Sequence, residues 1–138
     1  MRDPNRLQEI YDHIKKLHKE IYPDLRICYV LKDIFDRARF KSIDLFYLED
    51  DKVIEMFDKY AKDSGATRGW YNRDPDRLDA PYAYLQTMHQ TYFPDWRFFQ
   101  LVSNFAENYG WCCVDELDDA DMLYDAFGKF VKKVTGHG

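Results

Sequence analysis

His18 and His89 lie 71 residues apart in matching surroundings, "KLHKEIYPD" and "TMHQTYFPD". Paired imidazoles suit metal ligation or general acid-base chemistry near neutral pH. Neither has the HxxxH or ExxH partner of a helical ligand set. His13 is five residues from His18, off its helix face, and His137 falls in the tail. Both paired histidines therefore read as boundary residues on the first helix of each half.

Two acidic clusters come next: Glu49, Asp50, Asp51, and Asp115, Glu116, Asp118, Asp119, Asp121. Carboxylates this dense can hold Mg²⁺ or Ca²⁺, but the second cluster lacks the glycine and terminal glutamate of an EF-hand loop. Helix starts and a solvated loop account for both clusters. Arg26 and Arg97 follow equivalent Pro-Asp pairs, and Arg2, Arg6, Arg73 and Arg77 form a second equivalent set. Such arginines suit an anion or a partner surface. They better suit pairing within the protein, to the acidic stretch before the third helix, since a cation in a helix's first turn opposes the dipole.

Cys112 and Cys113 adjoin Trp111 and are the one candidate reactive-thiol site. No basic residue lies nearby in sequence to lower a thiol pKa, so they read as buried, reduced thiols. Neighbouring cysteines rarely close a disulfide on each other. Three cysteines with no CxxC pair fit a reducing, cytosolic setting. No GxSxG, Walker A, GxGxxG or HExxH motif is present. No catalytic residue, metal site or cofactor is assigned.

The elements that must position these residues show a repeat. Shifted by 71 positions, "RDPNRLQEIYDHIKKLHKEIYPDLR" falls on "RDPDRLDAPYAYLQTMHQTYFPDWR" without a gap. Arg6, Leu7, Tyr11, His18, Pro23 and Asp24 meet Arg77, Leu78, Tyr82, His89, Pro94 and Asp95. This reads as a tandem duplication. Each copy predicts three helices. In the first, Asp3 caps and Pro4 opens a helix whose stripe is Leu7, Ile10, Ile14, Leu17 and Ile21. Pro23 stops it, and Asp24 caps a second helix with Leu25, Cys28, Leu31, Ile34 and Phe35 inward. A third carries Val53, Met56, Phe57 and Tyr60. In the second copy Pro81 stands where Ile10 stands, and a proline inside a helix costs about 3 kcal/mol. A shorter helix capped by Asp79 avoids that cost, with Tyr82, Leu85, Met88 and Tyr92 inward. Trp96, Phe99, Val102 and Phe105 then line the fifth helix, and Met122, Ala126, Phe127 and Phe130 the sixth.

The order of these pieces is a charged start with Arg-Leu, an amphipathic helix, "YPDLR", an apolar helix, then "DLFYLEDDKVIEMF". It resembles the YihD-like family of small uncharacterised bacterial proteins. The first copy resembles it more closely than the second, which keeps "RDPDRL" and "FPDWR" but has "VDELDDADMLYDAF" in the acidic-aromatic place. The resemblance implies a small α-helical cytosolic protein and no particular activity. Duplication departs from the family's single copy.

The 138 residues are 46% hydrophobic and 17% aromatic, enough for one real core. A net charge of -5 argues against general nucleic-acid binding, which leans on a Lys/Arg excess. The N-terminal residues carry no apolar signal region, and no apolar run approaches a membrane span. The expected fold is all-α. Two tandem homologous three-helix units, 1–64 and 72–134, would be joined by a linker at 65–71 and followed by a tail at 135–138. They would pack as a pseudo-two-fold six-helix bundle, each unit being marginal alone. The expected function is a cytoplasmic, non-enzymatic protein-binding module of adaptor or inhibitor type, a class that includes products of mobile elements. Trp70, Tyr71, Trp111, Arg26 and Arg97 would carry the binding. The alternatives are a nucleic-acid-associated protein using the paired arginines, and an enzyme or metal-binding protein.

Overall fold

Apolar residues at three- and four-residue spacing fold the chain into helices throughout. The computed structural model describes residues 3–64 and 74–136; Arg2, Arg73, Trp70, Tyr71 and His137 lie outside them. Among the described residues are six α-helices and no strand: α1 (Arg6–Ile21), α2 (Ile27–Phe40), α3 (Asp50–Ser64), α4 (Asp79–Tyr92), α5 (Phe98–Tyr109) and α6 (Asp121–Thr135). Short 3-10 turns at Pro75–Leu78 and Val114–Glu116 precede α4 and α6. None of these helices is long and apolar enough to cross a membrane.

The starts follow local chemistry, with corrections. Asp3 accepts a hydrogen bond from the Asn5 amide, but regular helix begins only at Arg6. Asp74 does the same for Asp76 and caps the 3-10 turn that Pro75 opens. Pro81 sits in the first turn of α4, where its missing N–H matters little, and the chain before it tightens into that turn. Asp79 is not a cap: Leu78 holds that position, and the Asp79 carboxylate receives Lys19 Nζ at 2.9 Å. Nor does Asp24 cap α2. That helix starts at Ile27, with Arg26 extended at its N-cap.

α1 packs against α3 and α4, α4 against α6, α5 against α3 and α6, and α2 against the Val114–Glu116 turn. The core crosses from the first three helices into the last three through aromatic rings. Phe57 of α3 lies parallel to Phe99 at 5.8 Å and edge-on to Phe98 at 5.7 Å, and Phe98 meets Tyr11 at 5.4 Å. Burying side chains of this size is worth about 1.5–3 kcal/mol each. The inward stripes are partly rotated from expectation. In α1 the buried set is Leu7, Ile10, Tyr11, Ile14 and His18, while Leu17 and Ile21 are half-buried. Tyr92 and Met122, expected inward, are exposed; Leu123 takes the core place in α6.

Candidate functional site

The two histidines are core residues, not boundary residues: both are 0% exposed. His18 Nε2 lies 2.7 Å from the Leu25 carbonyl and His89 Nε2 lies 2.8 Å from the Trp96 carbonyl. A carbonyl only accepts, so Nε2 carries the proton in each ring. Nδ1 of the neutral ring is then an acceptor. The Tyr82 hydroxyl donates to His18 Nδ1 at 2.6 Å, and the Tyr11 hydroxyl donates to His89 Nδ1 at 2.9 Å. Each histidine thus closes the turn after its own helix and binds a tyrosine from the other half of the chain. Burial is the main force holding both imidazoles down to about 4; the Leu25 and Trp96 hydrogen bonds oppose it, and Arg77 and Arg6 assist it. Burial likewise raises the Tyr11 and Tyr82 hydroxyls, which stay protonated as donors.

Arg6 and Arg77 of the second set complete this arrangement. Arg6 donates to the Pro94 carbonyl at 2.7 Å and to the Trp96 carbonyl at 2.8 Å, and pairs with Asp50 at 2.6 Å. Arg77 donates to the Pro23 and Leu25 carbonyls and pairs with Asp119 at 3.3 Å. Asp119 is 3% exposed and also accepts the Ile27 amide at 2.7 Å, so it serves the start of α2 from the far end of the sequence. Each acidic cluster thus supplies one carboxylate to this arrangement, Asp50 from the first and Asp119 from the second. Among the described residues no three His, Cys, Asp or Glu side chains are grouped to hold a metal ion.

Of the expected binding residues, Trp70 and Tyr71 lie outside the described ones, and the other three sit as follows. Trp111 is half-buried, its ring edge-on to Phe35 at 5.1 Å. Arg97 pairs with Glu49 at 3.0 Å and lies 6.0 Å over the Tyr47 ring. Arg26 makes no ion pair among the described residues, and its Nε is buried without a hydrogen bond. Cys112 and Cys113, expected buried, are both exposed, while Cys28 is buried.

A solvent-facing apolar patch lies at the turn from α2 to α3, and two of the expected binding residues border it: Trp111 shares a hollow with Arg39 and Ile43, and Arg97 lies over Tyr47. Phe40 is 93% exposed, Tyr47 66% and Ile43 39%. The turn is closed by two bonds, Ile43 N–H to the Ala38 carbonyl at 2.8 Å and Ser42 N–H to the Arg39 carbonyl at 3.0 Å. This is a Schellman cap, and Ser42 occupies its left-handed position at φ 60°. The cap fixes Phe40 as the last helical residue. Arg39 and Lys41 beside it are exposed and make no ion pair among the described residues. An open hollow of about 490 Å³ adjoins Phe40, bounded by Asp36, Arg37, Lys41 and Asp63. Sequence reading missed Phe40 because "DRARFKS" carries no periodic break. The usable signal was an aromatic between two cations just past the last inward residue, Ala38.

The chain matches no protein-family model, no curated protein and no solved structure.

Proposed function

We propose that the chain is a non-enzymatic protein-binding module whose docking face is the α2–α3 turn. The observation that carries this is Phe40, a large apolar side chain 93% exposed at a capped helix end. Aromatic side chains presented this way are typical of interface anchors. Arg39 and Lys41, exposed and in no ion pair among the described residues, set the partner's chemistry: a protein with an apolar pocket rimmed by carboxylates. The reading is supported by what the other candidates are doing. His18 and His89 are sealed with both ring nitrogens engaged, and Arg6, Arg77 and Arg97 are held by internal carboxylates.

The scaffold under that face is, in the same proposal, two tandem copies of a three-helix unit related by an approximate two-fold. What supports it is the reciprocity of the contacts. Tyr11 on His89 and Tyr82 on His18, and Arg6 on the 94–96 carbonyls and Arg77 on the 23–25 carbonyls, are the same bonds displaced by 71 positions. Kinship with the YihD-like family belongs to the proposal too and rests on the motifs alone.

The test is capture of partners by the tagged protein, with and without nuclease, compared across surface variants. A partner should be retained by the wild type and by Met122→Asp, a change at another exposed apolar residue. It should be lost from Phe40→Asp and weakened about tenfold by Arg39→Glu. Circular dichroism should be unchanged throughout. A partner that Phe40→Asp still holds would sink the assignment of the face. Recovery that vanishes with nuclease would favour nucleic acid.

A further inference from the structure

Cys112 and Cys113 follow Trp111, which borders the hollow that Arg39 and Ile43 of the docking face share. Their two sulfurs are exposed and only 3.3 Å apart. The turn that carries them is held on both sides. Upstream, Gly110 (φ 118°) ends α5 and Trp111 packs against Phe35 at 5.1 Å. Downstream, Val114 and Leu117 are buried. The backbone between is closed by Cys113 and Val114 amides on the Gly110 carbonyl, both at 3.1 Å, and by the Glu116 amide on the Cys113 carbonyl at 3.1 Å. The thiols are thus displayed side by side on a fixed platform.

We propose that Cys112 and Cys113 form a bidentate site for a soft trivalent metalloid centre of the arsenical class. Geometry selects the class. A centre bonded to both sulfurs at about 2.3 Å, the zinc–thiolate distance, would subtend about 90° across a 3.3 Å gap. That is the angle of a pyramidal trivalent centre, well short of the tetrahedral angle of about 109° that a zinc site prefers. Zinc also wants four ligands, and no third or fourth donor is grouped here among the described residues. The reaction balances without an oxidant. A hydrated arsenical, R–As(OH)₂, exchanges two As–O bonds for two As–S bonds. Each thiol proton leaves with a hydroxide as water, and arsenic remains trivalent. No thiolate has to be present beforehand. This matters because the hydrogen bond with Cys112, aided by Glu116 and Asp115, raises the Cys113 thiol. Monothiol chemistry that depends on thiolate is correspondingly slow.

The test is titration of the full chain with phenylarsine oxide, followed by counting reactive thiols under native conditions with an aromatic disulfide reagent. Two thiols should react before treatment, because Cys28 is buried. Both should disappear at one equivalent of arsenical. They should return with 2,3-dimercaptopropanol but not with 2-mercaptoethanol at equal thiol concentration. Cys112→Ser and Cys113→Ser should each weaken retention at least tenfold; both positions are exposed, so folding is not at stake. The proposal is overturned if either single variant retains the arsenical as tightly as the wild type. It also fails if 2-mercaptoethanol strips the arsenical, or if zinc at one equivalent protects the thiols equally well.

Discussion

Tyr11 and Tyr82 each contribute one hydroxyl, and each hydroxyl is the donor to a buried imidazole nitrogen. Replacing either with phenylalanine keeps the packing and leaves Nδ1 of His89 or His18 without its donor. An unsatisfied buried acceptor costs about 1–3 kcal/mol. Tyr11→Phe and Tyr82→Phe should therefore destabilise by similar amounts within that range, read from urea unfolding midpoints. A loss below about 0.5 kcal/mol in both would mean that water replaces the hydroxyl. This pairing was half legible in the sequence. Tyr11 and His18 are seven residues apart, as are Tyr82 and His89, so each pair shares a helix face. The repeat marked all four residues. Tyr82 was expected inward; what hid the burial of Tyr11 and His18 was a competing stripe through Leu17 and Ile21, which satisfies the helical period nearly as well. Which stripe wins is settled by the partner helix, and sequence order does not name it.

At the level of elements, helix type and number were legible, because apolar spacing and proline stops are local signals. The start of α2 was not. Asp24 has the position and chemistry of a cap, yet the Ile27 amide is taken by Asp119. A carboxylate brought in from a distant turn leaves no mark near the helix it serves. The end of α2 tells the opposite story. Its Schellman cap is wholly local, but it uses Ser42 at φ 60° where glycine would be at ease. A non-glycine residue in that region carries a penalty of roughly 1–2 kcal/mol. Glycine's greater freedom in the unfolded chain returns part of it. Ser42→Gly should stabilise the protein by about 0.5–1 kcal/mol, visible as a higher thermal midpoint. Ser42→Val should do the reverse, and should loosen the presentation of Phe40. A destabilised glycine variant would show that the serine side chain matters more than the backbone it tolerates.

Across the whole molecule the buried histidines link the packing of the two halves to pH. Their folded values are lowered to about 4 from an ordinary 6.5. Between those limits the unfolded chain binds two protons that the folded chain refuses, so stability rises with pH through the window and falls on acidification. Above 6.5 the contribution is fully present; it is lost as pH drops toward 4. Arg77 faces His18, and Arg6 and Asp50 face His89. The arginines act in the same direction as burial, and Asp50 opposes it weakly. Two such groups approach a slope of about 3 kcal/mol per pH unit once the unfolded imidazoles are protonated, or on the order of 3 kcal/mol between pH 6.5 and 5. That is a large part of the 5–15 kcal/mol typical of a whole domain. Urea unfolding at pH 7.5, 6 and 5 should show the midpoint falling steeply over the last two points. It should fall well above the pH where ordinary carboxylates titrate, near 4. Because each imidazole binds a tyrosine from the other half, the acid form should lose the contacts between the halves before the helices themselves. Near-ultraviolet circular dichroism from the aromatic core should therefore fade at a higher pH than the far-ultraviolet helix signal. Coincident loss of both signals would mean that neither half holds its helices without the other. A flat stability profile from pH 7.5 to 5 would mean that the imidazoles accept protons in place.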